Sequence, residues 1–315
     1  MINAPAISEH EPLAKYTSWR IGGPARYFAN ATSPDELRAA LHWARDYDLP
    51  LFILGGGTNI LMADQGFPGL VLRYRSQELR VTDAGATARA WVAAGAPMAG
   101  TARRLAGLGW AGLQWAEGLP GTIGGAVFGN AGCYGGTMSA VLGRAWLLLD
   151  DEIVEWPVER FAYGYRTSAL KQTKDERPKT KEHQAHVNSF VLRPSSFVGP
   201  IIVAAEFELT RAEPSALAEQ MQQIAAARRG KTPVGSSCGS VFKNPPGTTA
   251  GLLIEAAGLK GTSIGGAMIS DKHANYIVNR GGASSADVLG LIELARERVL
   301  REFAVELALE VHVVG

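Results

Sequence analysis

Cysteine is nearly absent from this chain, with two residues, Cys133 and Cys238, among 315. Two thiols make no disulfide framework, and each lies among small residues, where it reads as a small apolar filler. An excess of charge of one sign is also missing: 31 Lys+Arg face 30 Asp+Glu, for a formal net charge of +1. That balance supplies no electrostatic case for nucleic acid or an acidic membrane surface, while leaving room for a local basic pocket that takes a phosphorylated substrate. No apolar run approaches bilayer length, and Met1 to Lys15 has neither a basic start nor an apolar stretch, so a cytoplasmic protein is expected. Histidines number six. Only His183 and His186 lie close together, in a charged stretch that suits solvated side chains better than metal ligands.

Glycine is plentiful, and its 37 residues gather in two notable places. Leu51-Phe52-Ile53-Leu54 is a short strand-like run, and Gly55-Gly56-Gly57-Thr58-Asn59 follows it as a turn bare of side chains. Such a turn lets main-chain N–H groups approach an anion closely, as a dinucleotide pyrophosphate requires. Its spacing is neither the Rossmann fingerprint nor a P-loop, and a tight turn without a ligand is the plainer reading. The second cluster runs from Glu117 to Gly136. So many glycines are expected to make neither a good helix nor a good strand interior. Either two elements pack closely there, or the backbone forms a wall for a flat cofactor; two such loops about 60 residues apart favour the cofactor.

A chain of this length accommodates two domains. Ser33-Pro34-Asp35-Glu36 is a capping box with proline at the first helical position, followed by an apolar face of Leu37, Ala40, Leu41 and Ala44. Strands are expected over Gly69–Arg73, Ala88–Ala93 and Ile201–Leu209. Helices are expected from Pro97 through Leu105, over Ser215–Arg229 with Gly230 as C-cap, and over Ser284–Phe303. Lys171 to about Ser196 is charged and poor in large apolar residues, which reads as an exposed loop. The order of elements is not a clean βαβ alternation and points to an α+β fold.

The ordered motifs Thr17-Ser18-Trp19-Arg20-Ile21-Gly22-Gly23-Pro24-Ala25, Gly55–Asn59, Gly118–Gly125, Tyr165-Arg166-Thr167-Ser168, Ser237–Pro245, Lys272-His273-Ala274-Asn275 and Glu310–Gly315 resemble the UDP-N-acetylenolpyruvoylglucosamine reductases, from about Leu13 to the end. The absence of an inserted Tyr-bearing segment between Leu209 and Ser215 is similar to the family's type II branch. The segment after the Tyr-Arg motif departs from the family, which usually returns quickly to a strand. The resemblance implies a two-part FAD-binding domain of the vanillyl-alcohol-oxidase type over 1–210, its lobes divided near 75–80, and a C-terminal α+β substrate-binding domain over 211–315. It implies non-covalent FAD, since neither glycine loop holds a histidine for attachment, with NADPH as hydride donor and UDP-GlcNAc-enolpyruvate as substrate. A monomer is expected.

By the same resemblance, FAD contacts fall to Gly55, Gly56, Gly57, Thr58 and Asn59, and to Gly118, Gly121, Thr122, Ile123, Gly125 and Val127. Tyr165, Arg228, Lys231 and Asn244 fall to the substrate. Arg166, Ser240 and Glu310 fall to catalysis. Read on their own, these residues are less specific. Arg166 after Tyr163-Gly164-Tyr165 suits an arginine stacked on an aromatic, or a bidentate grip on a carboxylate. Ser240 suits a turn cap, and no Ser-His-Asp spacing surrounds it. A final strand over Glu306–Val314 alternates Leu307, Leu309, Val311 and Val313 inward, leaving Glu310 to face either solvent or a site. Arg228 and Lys231 also suit the negative end of a helix dipole. Two other readings remain: an oxidase of a small alcohol or sugar on the same flavin scaffold, and a nucleotide-binding protein without catalysis. The retained set Arg166, Ser240 and Glu310 counts against the second.

Overall fold

The computed structural model describes residues 4–171, 191–192 and 199–315, with backbone alone at 191–192. Most of the charged loop expected from Lys171 to Ser196 therefore lies outside the described residues. At Val191–Leu192 the expectation is corrected: these two residues pair in parallel with Val313 and Val314.

The first sheet has the order Ile7–Pro12, Pro24–Ala31, Phe67–Tyr74, Leu51–Ile53; the first pair is antiparallel and the others parallel. Helix Pro34–Asp46 covers one face and buries Leu37, Ala40, Leu41 and Ala44 as its periodicity requires. Ser33 Oγ accepts the Glu36 N–H at 3.2 Å. The return bond from Glu36 is corrected by one residue. Its carboxylate accepts from Thr32 N–H at 2.7 Å and from Thr32 Oγ at 2.9 Å, because Thr32 offers two donors to one oxygen.

The second sheet is antiparallel, in the order Glu152–Pro157, Leu142–Leu149, Ile201–Arg211, Thr87–Ala93, Leu79–Asp83. Helix Met98–Gly107, with Pro97 as its N-cap residue, packs beside it. The second glycine cluster departs from expectation, for a helix does form over Ile123–Gly129. Thr122 Oγ accepts from Gly125 N–H, Ile123, Ala126 and Val127 are buried, and Asn130 ends the helix at φ 46°. Gly124 lies where a Cβ would stand 3.0 Å from Ala94 Cβ. Close packing, not propensity, supplies the stability of this short helix.

Two residues separate the end of the long strand at Arg211 from helix Pro214–Lys231. Gly230 does not end it as expected. The Lys272 ammonium donates to the carbonyls of Arg229 and Thr232 at 2.8 and 2.9 Å, satisfying the last turn from outside. Helix Ser285–Phe303 carries a full capping box through Ser284 and Asp287 and buries Val288, Leu291, Ile292, Ala295 and Val299. It covers the small antiparallel sheet Ser263–Ile264, Ala267–Ile269, Ile277–Asn279.

The final strand is shorter than expected, His312–Val314, in parallel with Ile60–Met62. Residues 308–310 instead bond to the loop at Val241–Lys243: Lys243 N–H donates to Ala308 O and Glu310 N–H to Val241 O, both at 2.8 Å. The chain changes partner between Glu310 and His312, and one continuous strand cannot serve both. Other ties join the N-terminal and C-terminal parts. Trp19 Nε1 donates to Ile277 O at 2.7 Å, and the Asp64 carboxylate accepts from Ser285 and Ala286 N–H at the start of the last helix.

Candidate active site

A cavity of about 1590 Å³ opens where these parts meet. That exceeds the roughly 300–1,000 Å³ of an ordinary small-molecule site and leaves room for two ligands. The two glycine loops line it together. A Cβ on Gly56 would stand 2.7 Å from Gly121 Cα, and one on Gly57 (φ +63°) would stand 1.9 Å from Tyr16 O. The close-packing reading of the glycines is met where the two loops touch, and both loops also line the cavity. The N–H groups of Gly55 through Asn59 have no acceptor among the described residues. Such a row of bare donors fits an anionic cofactor segment.

Arg166 sits at the tip of a tight turn closed by Gly164 and Thr167, in the left-handed region at φ 57°. Lys171 Nζ donates to its carbonyl at 2.8 Å. Its Nε lies 2.9 Å from Glu310 Oε1. The pair is ionic by distance, yet Nε–H is misaligned and makes no hydrogen bond, so the contact is Coulombic. The Glu310 side chain is 14 % exposed. Burial pushes its carboxyl above the ordinary range, and the Arg166, Lys171 and Lys243 charges offset only part of that shift.

Ser240 lines the same cavity, next to Gly239 at φ +79°. Its loop is held by Asn275, a buried side chain that accepts from Phe242 N–H at 2.9 Å and donates to Phe242 O at 2.8 Å. Backbone bonds join this loop to the Glu310 segment, so Ser240 and Glu310 come from adjacent stretches of wall. The Arg228 guanidinium, from the last turn of Pro214–Lys231, donates to Glu117 O at 3.1 Å and Cys133 Sγ at 3.3 Å and lies over the Tyr134 ring. The buried Glu117 carboxylate pairs with Arg103. Cys133 is therefore more than apolar filler: its thiol donates to Trp115 O and supports Arg228. Burial raises that thiol against the pull of Arg228.

Residues 231–314 match the family model described as "UDP-N-acetylenolpyruvoylglucosamine reductase, C-terminal domain", and residues 25–154 match one described as "FAD binding domain". The UDP-N-acetylenolpyruvoylglucosamine reductase of Chloroflexus aurantiacus is 53% identical over 305 residues, covering 96% of this chain and 96% of the relative. That of Chloroflexus aggregans is 54% identical over 310 residues, covering 98% and 97%. The chain belongs to the UDP-N-acetylenolpyruvoylglucosamine reductase family. The crystal structure of the reductase (MurB) from Thermus caldophilus has a TM-score of 0.76 at 31% identity and covers 99% of both chains. Membership makes this chain an oxidoreductase with an FAD-binding domain on an α+β fold.

Within this reductase fold, the cavity brings together Gly55, Gly56, Gly57, Thr58, Asn59, Gly118, Gly121, Thr122, Gly125, Arg166, Arg228, Lys231, Ser240 and Glu310. Four expected site residues fall elsewhere. Ile123 and Val127 are fully buried in the core beneath the loop. Tyr165 is 58% exposed beside Arg166 and is not part of the lining. Asn244 Oδ1 accepts from Ala250 N–H at 3.1 Å, which commits it to the start of the next helix. Reading the sequence passed over Tyr134, Lys171, Lys243, His273 and Tyr276, all on the wall. The Lys272–Asn275 motif was the available signal for His273 and for the Asn275 scaffold.

Proposed function

We propose that this reductase converts UDP-N-acetylglucosamine enolpyruvate to UDP-N-acetylmuramate, a peptidoglycan precursor, with NADPH as reductant and non-covalent FAD. The single observation that carries the reading is the Arg166–Glu310 pair with Ser240 on the wall of a cavity that the two glycine loops also line. FAD, when bound, would supply two-electron hydride chemistry between NADPH and C3 of the enolpyruvyl group. The bare N–H row of Gly55–Asn59 suits its diphosphate. Arg166 grips the substrate carboxylate, where a guanidinium matches two oxygens. Charge developing at C2 spreads into that carboxylate, and Arg166 stabilises it. Glu310, beside Arg166 and with its proton affinity raised by burial, polarises the same enol-like intermediate. Ser240 gives its hydroxyl proton to C2. Arg228 and Lys231 face the substrate, with Lys231 and Asn244 near its diphosphate or sugar.

In the same reading, residues 1–210 carry FAD in two lobes divided near 75–80, residues 211–315 carry the substrate, and the enzyme works as a cytoplasmic monomer. Ser240→Ala tests the proposal because it separates the half-reactions. By stopped-flow absorbance, NADPH should reduce the flavin at a nearly unchanged rate. Reoxidation by the enolpyruvyl substrate should slow by roughly 10²–10⁴-fold, the range for losing a positioned general acid. Equal slowing of both halves would make Ser240 structural, and normal reoxidation would remove it from the reaction.

A further inference from the structure

A second cavity, of about 210 Å³, shares Gly55, Gly56, Gly121 and Thr122 with the large one. Its remaining wall includes Arg73 and Arg75, at and just after the end of strand Phe67–Tyr74. It is too small for a nucleoside by the roughly 300 Å³ that small-ligand sites begin at, and ample for a phosphate group. Among the described residues neither arginine forms an ion pair with a carboxylate. Arg73 Nε is buried without a hydrogen-bond partner, and its guanidinium lies over the Tyr16 ring at 4.7 Å. The carboxylate nearest in that chain of contacts, Glu11, is taken by Tyr16 and Lys15 at 2.6 Å each. Burial and the Arg75 charge both work against the Arg73 cation. Two mutually repelling guanidinium groups thus border a small cavity whose other wall carries the unpaired N–H groups of Gly55 and Gly56. A protein that holds such charges together without an acid between them gains most from an anion there.

We propose that Arg73 and Arg75 form a phosphate-binding pair and that the small cavity takes a phosphate group of the bound dinucleotide. This inference rests on the FAD reading above. The planar fork of Arg73 grips one pair of phosphate oxygens, Arg75 closes from the solvent side, and the glycine N–H groups complete the shell. The same chemistry would serve a free phosphate ion, and the test separates the two sources.

Apo-protein of the wild type, Arg75→Gln and Arg73→Lys is titrated with FAD and with riboflavin, which has the same ring system and no phosphate. Arg75 is exposed, so its replacement leaves the fold intact. Arg75→Gln should raise the FAD Kd about tenfold, as for losing one charged hydrogen bond, and leave riboflavin affinity unchanged. Arg73→Lys keeps the charge without the fork and should fall between. In parallel, FAD-loaded proteins are equilibrated with labelled inorganic phosphate. Phosphate binding that Arg75→Gln abolishes, with FAD affinity unchanged, would keep the phosphate-binding pair and assign it to a free ion. An FAD Kd within twofold of wild type together with no phosphate binding would overturn the inference, as would equal weakening of FAD and riboflavin. Wild-type protein with no FAD affinity would remove the proposed function first, and labelled phosphate titrated into the apo-protein would still decide whether an anion site exists.

Discussion

Glu310 is a buried carboxylate whose ion pair does not repay its desolvation: burial is the larger effect, and Arg166, Lys171 and Lys243 only reduce it. The folded state therefore binds the Glu310 proton more tightly than the unfolded chain does. The stabilisation this provides is full below the ordinary carboxylate value of 4.5 and is lost as pH rises through the higher folded value. Glu310→Gln removes that dependence. Thermal unfolding of the flavin-loaded variant should show a Tm equal to or above wild type at pH 8, and a smaller advantage or none at pH 4, while turnover falls. A variant that is least stable relative to wild type at pH 8 would mean that attraction to Arg166 dominates. Strand alternation alone could say that Glu310 points away from the core. It could not say that the space beyond is a cavity wall.

At the scale of an element, the two glycine loops constrain each other where Gly56 meets Gly121. A Cβ on Gly56 meets rigid backbone at 2.7 Å, whereas one on Gly55 meets only Thr122 Oγ at 3.1 Å. Gly56→Ala should cost about 1–3 kcal/mol, the usual range for overpacking, and should lower the ratio of flavin to protein absorbance after purification. Gly55→Ala should keep a Tm within a few degrees of wild type in the same melt. Similar losses in both would show that the loops are not in contact. The sequence marked both loops by composition, but the same composition argued against the helix Ile123–Gly129. Packing of Gly124 on Ala94 and a Thr122 cap outweigh poor propensity there.

Across the whole molecule, distant pieces of chain meet at the cavity floor. His312–Val314 lies in parallel with Ile60–Met62, directly after the first glycine loop, and Ala63 N–H donates to Val314 O at 2.8 Å. Val313 and Val314 are buried, each worth about 1.5–3 kcal/mol on full burial. Deleting His312–Gly315 should yield protein without flavin that melts well below wild type or without a single cooperative transition. Calorimetry and the visible flavin band would read both. Retention of flavin at an unchanged Tm would show that the terminal strand is dispensable to the site. No local pattern announces this pairing, because a parallel neighbour about 250 positions away leaves none in the adjacent residues.

The sequence by itself determined the helices that have their own caps and apolar faces, Pro34–Asp46 and Ser285–Phe303, since local hydrogen bonds and period-3.6 burial are written in adjacent residues. Apolar runs marked the strands that form as Phe67–Tyr74, Thr87–Ala93 and Ile201–Arg211, and composition marked the two bare loops, while Pro24–Ala31 and Leu142–Leu149 carried no comparable mark. Ordered motifs carried the family and the trio Arg166, Ser240 and Glu310. Only the tertiary structure decided where the last strand begins, what ends helix Pro214–Lys231, and which expected residues line the large cavity. Lys272, Asn275 and Glu117 act through contacts with residues far along the chain. Ile123 and Val127 turn into the core because one side of their helix must be buried. These outcomes depend on partners distant in sequence, so they exist only once the chain has packed.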